Sequence, residues 1–389
     1  MANATAIPWN SRFQHLHDRM AHRLQQRTLI GAATVVAQGD RVLWQERQGW
    51  ADFEKRIPLG PGAVFRLASM TKPITAVAAM MQVERGAFRL EDPVSRYLPG
   101  FRKMRVGELD AQGRVARTWP AENPILVADL LTHTSGLGQG PVGEVGFRSL
   151  GLKEGDTLAS VVPRIGDLPL DFEPHSRTSY SALFAFDTLA HLVELTSGFE
   201  FGVYLDRNLF QPLGIRDTTF MPGEEQRARL VGMYAITQQG FEPVDMQGIF
   251  PGLPVSYHSG GASLVGTVED YLRFTRMLLG EGILDGVRVL SEGSVRRLRT
   301  SQLPESMEGL EDGVGWGLSM RVITKAGGCG RPLEPECFGW SGAFGTHFWI
   351  DPKRNLVAIY ATNLTTAGGA GAVTAREFEE DVMRGIAHA

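Results

Sequence analysis

Ser69-Met70-Thr71-Lys72 sets a serine and a lysine three residues apart, a spacing that puts both side chains on one face wherever the chain is helical. A serine hydroxyl is a weak nucleophile until something takes its proton. A lysine that is desolvated beside the positive end of a helix gives up its own proton more readily and can then accept the serine's. The backbone N–H of Ser69, free at a helix start, would supply half of an oxyanion hole. The pair therefore points to acyl transfer through a covalent acyl-serine. The same spacing also suits a serine N-cap followed by a solvated lysine, so its surroundings have to decide.

The elements that would position the pair can be read from periodicity. From Ser69 to Glu84, apolar residues at Ile74, Val77, Ala78 and Met81 follow i, i+3, i+4, i+7, which predicts a helix packed on one face and ended at Gly86. Residues 11–27 read as a charged helix. Residues 28–37 and the RVLWQERQGW run, separated by Gly39-Asp40, read as a β-hairpin. Between about 90 and 250, Pro and Gly punctuate short helical runs, such as Leu183 to Leu195 before Gly198. Near the end, THFWIDPKRNLVAIYATN reads as strand, turn at Asp351-Pro352 and strand, followed by an amphipathic helix from Val373 to Ile386. Strands at both chain ends around a helical middle predict two lobes with a cleft between them: an α/β (α+β) sheet domain from 1–88 and 250–389, and a mainly helical domain with loops from 89–249.

Several landmarks share the context of the Ser-Lys pair. The segment VFRLASMTKPITAVAAMMQVERGAFRLEDPVSRYLPGF, LLTHTSGLG at 130–138, Tyr180-Ser181-Ala182, the GGASLVGTVEDYLRF run from Gly260 and Trp340-Ser341-Gly342-Ala343 occur in that order. In them the chain resembles the class C β-lactamases, penicillin-binding D-peptidases and family VIII carboxylesterases, over roughly residues 20 to 385. The resemblance implies a β-lactamase-like fold, an antiparallel sheet flanked by helices plus a mainly helical lobe. It implies Ser69 as nucleophile, Lys72 and Tyr180 as its proton-handling partners, and the amides of Ser69 and Ala343 as the oxyanion hole. Trp340, Ser341 and Gly342 would border the substrate, with Gly342 and Gly345 leaving room for close approach, and Gln139 is a candidate pocket residue.

Two departures from that pattern bear on substrate. Trp340 stands where β-lactamases and D-peptidases carry a Lys or His, so anionic acyl donors lose their anchor; the related esterases also tend to have tryptophan here. Ala182 replaces the asparagine of Tyr-x-Asn, which removes an amide that would contact substrate and orient Lys72. Both favour a serine carboxylesterase acting on neutral, short-chain esters. The alternatives are an amidase, D-peptidase, weak β-lactamase or acyltransferase on the same site, and a non-catalytic binding descendant of the fold. A Ser/His mechanism is the rival chemistry, but His133, His258 and His347 read as structural, and no G-x-S-x-G elbow surrounds any serine.

Composition sets the remaining bounds. With 43% hydrophobic and 21% charged residues and a formal charge of −4, the chain reads as globular throughout, with no basic run that would track nucleic acid. No apolar stretch is long enough to span a bilayer and the N-terminus lacks a leader pattern, so a cytoplasmic location without membrane association is expected. Cys329 and Cys337 are expected as free thiols, and no metal or cofactor is expected.

Overall fold

The structure is a computed structural model that describes residues 11–387 apart from 139, 247 and 370. Its centre is an eight-stranded antiparallel sheet. The strands run in the spatial order Val314–Trp316, Arg321–Ile323, Phe338–Ser341, His347–Asp351, Leu356–Ala361, Gly31–Gln38, Arg41–Asp52 and Ile57–Pro58. The chain ends meet at its middle, where Ala33 pairs with Ala361 and Gln38 with Leu356. The hairpins expected at both ends are present.

Period-two alternation explains why these strands are buried on both faces. Val35, Phe348, Ile350, Val357 and Ile359 point into a core shared with the helix Thr71–Glu84. Val36, Trp349, Ala358 and Tyr360 point the other way, onto Leu16 and Met20 of the helix Gln14–Gln25 and Phe378 and Val382 of the helix Val373–Ala387. The sheet is thus sandwiched between the terminal helices and the helices that carry Lys72.

Three features differ from expectation. The helix Thr71–Glu84 is buried from Thr71 through Gln82 on every side, not on one face, because Ala76, Ala78 and Ala79 let neighbours approach where larger residues would demand solvent. The strands Val314–Trp316 and Arg321–Ile323 add a sheet edge that three-residue runs could not announce. The region read as helical also holds two small hairpins, Arg105–Leu109 with Val115–Pro120 and Tyr234–Thr237 with Gly240–Pro243. No helix among the described residues is long and apolar enough to cross a membrane. Cys329 and Cys337 are free thiols.

Candidate active site

Ser69 lies in a 3-10 turn, Ala68–Met70, that leads directly into the helix Thr71–Glu84. From Ala63 to Gln82 every residue is buried except Ser69. The preceding Ala68 is fully buried with φ of +46°, a left-handed conformation that costs a non-glycine residue about 1–3 kcal/mol and is tolerated where packing enforces it. The turn thus presents one hydroxyl from an otherwise closed surface.

Lys72 and Tyr180 converge on that hydroxyl. Lys72 Nζ lies 3.2 Å from Ser69 Oγ, and the Tyr180 phenol donates to Oγ at 2.7 Å. Lys72 is fully buried, and among the described residues no carboxylate pairs with it. Its other hydrogens go to the carbonyl oxygens of Ala182 at 2.6 Å and Gly261 at 2.9 Å, and it sits 4.8 Å from the Tyr180 ring centroid. These contacts serve both protonation states. An ammonium donates to all three oxygens, whereas a neutral amine donates to the two carbonyls and keeps its lone pair for the serine proton.

Those carbonyls replace the asparagine missing at position 182. Gly260 and Gly261 permit the approach: a Cβ on Gly260 would lie 2.4 Å from Phe186 O, and one on Gly261 would lie 2.8 Å from Ala182 O. Behind them Asp187, at 1% exposure, accepts hydrogen bonds from Tyr257 OH at 2.9 Å, Ser259 OH at 2.5 Å and Gly261 N–H at 3.2 Å. Asp187 gives no signal in the sequence, because an aspartate inside the run FAFDTLAHLVE carries no motif.

Burial pushes the Asp187 carboxyl up to about 6 against the hydrogen bonds it accepts. A carboxyl raised in the fold takes up a proton between about pH 6 and 4 that the unfolded chain does not. Acidification through that window therefore costs no stability through this group. What it changes is polarity: the carboxylate only accepts, the protonated acid also donates, and of its three partners the Gly261 N–H cannot accept while the Tyr257 and Ser259 hydroxyls would have to turn to do so. Ester hydrolysis is expected to fall as pH drops through about 6, and Asp187→Asn, which carries a permanent donor there, should be slow at pH 8 and lack that acid limb; a pH–kcat/KM profile with the parent's limb intact in the variant would count against it.

Ala343, expected as the second oxyanion donor, is carried on the turn after Ser341. Gly342 N–H bonds Thr346 O, and Thr346 Oγ1 donates to Leu67 O at 3.1 Å, which ties the turn to the nucleophile's own turn. A Cβ on Gly342 would lie 2.3 Å from Leu67 O, so only glycine allows this approach. Ala343 is the one exposed residue between Cys337 and Asp351, and its N–H donates to no described residue. Gly345, with φ of +89°, closes the turn.

The remaining expected residues divide. The Trp340 ring packs 5.3 Å from Tyr180 and 4.7 Å from Trp316. The Ser341 hydroxyl faces inward, 2.8 Å from His347 Nδ1, and the residue is buried, so the substrate contact expected of it is not what this hydroxyl makes. Gln139 falls outside the described residues. His133 Nδ1 accepts the Ser181 N–H at 3.0 Å, and burial with the nearby Lys72 holds the imidazole well below its usual range, so it stays neutral and braces the Tyr180 segment. His347 Nε2 meets the buried Glu379 at 3.0 Å, and His258 pairs with Glu200 and stacks on Phe220. All three histidines are structural.

Two cavities flank the centre, each meeting it through the Tyr180–Ala182 segment. One, of about 380 Å³, is lined by Tyr180, Trp316, Trp340 and Arg321 among others. The other, of about 240 Å³, is mainly apolar, with Phe147, Ala182, Leu183, Phe184 and Phe250 in its wall and Glu144 and Arg148 also lining it.

A family model described as Beta-lactamase matches residues 16–379. An uncharacterized protein of Mycobacterium tuberculosis is 36% identical over 348 residues, 85% of each chain. Esterase EstB of Burkholderia gladioli is 32% identical over 376 residues, 90% of each chain. The solved structure of EstCE1, described as a hydrolase with promiscuous acyltransferase activity, superposes with a TM-score of 0.80 at 26% identity, covering 95% of this chain and 97% of that one. With nearly its whole length matched, and a serine, lysine and tyrosine joined at one hydroxyl, the chain belongs to the Beta-lactamase family.

Proposed function

We propose that the protein is a serine carboxylesterase that hydrolyses neutral, short-chain esters through an acyl-enzyme on Ser69. The observation that carries this reading is the convergence of Tyr180 OH and Lys72 Nζ on Ser69 Oγ, at 2.7 and 3.2 Å. Ser69 attacks the ester carbonyl, Tyr180 and Lys72 take its proton, and the amides of Ser69 and Ala343 hold the oxyanion. The phenol returns the proton to the departing alcohol. Water then deacylates the serine by the same route.

The two cavities suggest how the ester lies. The apolar one beside Ala182 suits the acyl chain, and the one beside Tyr180 suits the alcohol, because the group that reprotonates the leaving oxygen must sit next to it. Trp340 supports neutral acyl donors, and the esterase relative supports ester hydrolysis over amide cleavage. A panel of p-nitrophenyl butyrate, a chromogenic cephalosporin and a D-alanyl p-nitroanilide tests this. The ester is expected to exceed both others in kcat/KM by about 100-fold or more, a margin of about 2.7 kcal/mol in transition-state binding; a cephalosporin or anilide turned over as fast as the ester would replace this reading with the lactamase or amidase one.

A further inference from the structure

The cavity beside Tyr180 holds a positive charge that the reaction does not use. Arg321 lies on the second strand of the sheet, opposite Trp316 on one side and Gly339 on the other. Its guanidinium stands 5.9 Å from the centroid of the Trp340 ring and lines the cavity. Among the described residues it has no hydrogen-bond acceptor and no carboxylate partner.

The other charged side chains in that wall each have a hydrogen-bond partner. Arg331 is buried and donates to the buried carboxylate of Glu379. Arg376 donates to Gly371 O at 3.1 Å. The acid at the rim, Glu311, takes the Cys329 thiol at 2.6 Å. Desolvation, with Arg331 close by, outweighs the attraction of Glu379 and Glu311 and pulls the Arg321 guanidinium down to about 10, so it is still a cation at neutral pH.

Resting on the esterase reading above, we infer that this cavity binds a carboxylate carried on the alcohol part of the substrate, with Arg321 as its partner and the Trp316, Trp340 and Tyr180 rings as its walls. A guanidinium presents two parallel N–H groups that match a carboxylate. The aromatic walls favour a planar spacer between that carboxylate and the ester. The position is the alcohol side because Tyr180, which faces the leaving oxygen, is part of the same wall, and Arg321 lies one further ring away, over Trp340. A positive charge absent at position 340 is thus supplied from the adjacent strand, which narrows the neutral-ester reading to the acyl group: the preferred substrates are neutral there and anionic in the alcohol.

The test compares 4-(butyryloxy)benzoate with 4-(butyryloxy)benzamide, which share the acyl group and differ in charge on the alcohol, each rate referred to its hydroxide-catalysed hydrolysis. The parent is expected to favour the benzoate by about tenfold or more in kcat/KM, through KM, with the preference shrinking as salt is added. In Arg321→Gln the ratio should collapse toward one. The ratio is internal to each preparation, so partial misfolding of the variant does not imitate this result. A parent with no preference, or a variant that keeps it, overturns the inference. Failure of the parent to hydrolyse either compound or p-nitrophenyl butyrate would instead overturn the esterase reading. Tryptophan fluorescence titration with 4-hydroxybenzoate against 4-hydroxybenzamide then decides the site by itself: selective binding of the anion that is lost in Arg321→Gln sustains it, and equal or no binding rejects it.

Discussion

Replacing Ser69 with alanine is expected to lower kcat/KM for p-nitrophenyl butyrate by at least about 10³-fold, because no acyl-enzyme forms without the hydroxyl. The fold has little reason to suffer. The change removes two hydrogen bonds at Oγ, and Lys72 keeps both carbonyl partners. The oxyanion amides and both cavities remain, so substrate should still bind and any residual rate reports what positioning alone achieves. Circular dichroism and a thermal melt establish that the variant is folded; a folded variant with a tenth or more of the parent's rate would remove Ser69 from the chemistry.

Lys72→Met should be nearly as damaging. Methionine keeps the length and apolar stem but supplies neither a lone pair nor a charge, and a loss of about 10³-fold in kcat is expected, within the range seen when a general base is removed. Stability is a contest of two effects. The carbonyls of Ala182 and Gly261 lose their donor, at about 1–3 kcal/mol each, while the desolvation of a buried ammonium with no carboxylate partner is relieved. The net change in unfolding free energy should be small beside the change in rate. A variant that loses stability but keeps activity within tenfold of the parent would make Lys72 a structural residue.

What could be read from the sequence follows from what is local. The Ser69–Lys72 pair and the run into the helix Thr71–Glu84 each fit within a few residues, so spacing raises them as candidates, and the ordered landmarks, Trp340–Ala343 among them, decide their meaning. Tyr180 was legible only through its landmark, because nothing near it in the chain relates it to a serine 111 residues earlier. The carbonyls that hold Lys72 were invisible for a different reason: an acceptor on the backbone leaves no side-chain signature, and Ala182 therefore read as a loss when its own carbonyl oxygen makes the contact. Gly260-Gly261 was the available clue, since paired glycines mark places where backbones approach closely.

Arg321 and Asp187 illustrate the second limit. Both draw their significance from partners far along the chain, Trp340 and Tyr180 in one case and Tyr257 to Gly261 in the other; the defining property is burial for Asp187 and an unpaired charge in a cavity wall for Arg321. The helix Thr71–Glu84 shows the third. Its periodicity marked one apolar face, but alanines on the other faces admit neighbours as readily as they face water, so only the assembled core distinguishes a surface helix from a central one.

The proposed reaction depends on a covalent bond at one oxygen, Ser69 Oγ. A p-nitrophenyl alkylphosphonate phosphonylates a nucleophilic serine and is not turned over, so treating the parent with it, following p-nitrophenolate release and residual esterase activity, and mapping the adduct by peptide mass spectrometry tests that bond directly. One equivalent of p-nitrophenolate, activity lost in step with it, and the adduct on the Ser69 peptide, with no labelling of Ser69→Ala, is the predicted result. Activity lost with the adduct on another residue, or equal labelling of Ser69→Ala, would contradict it.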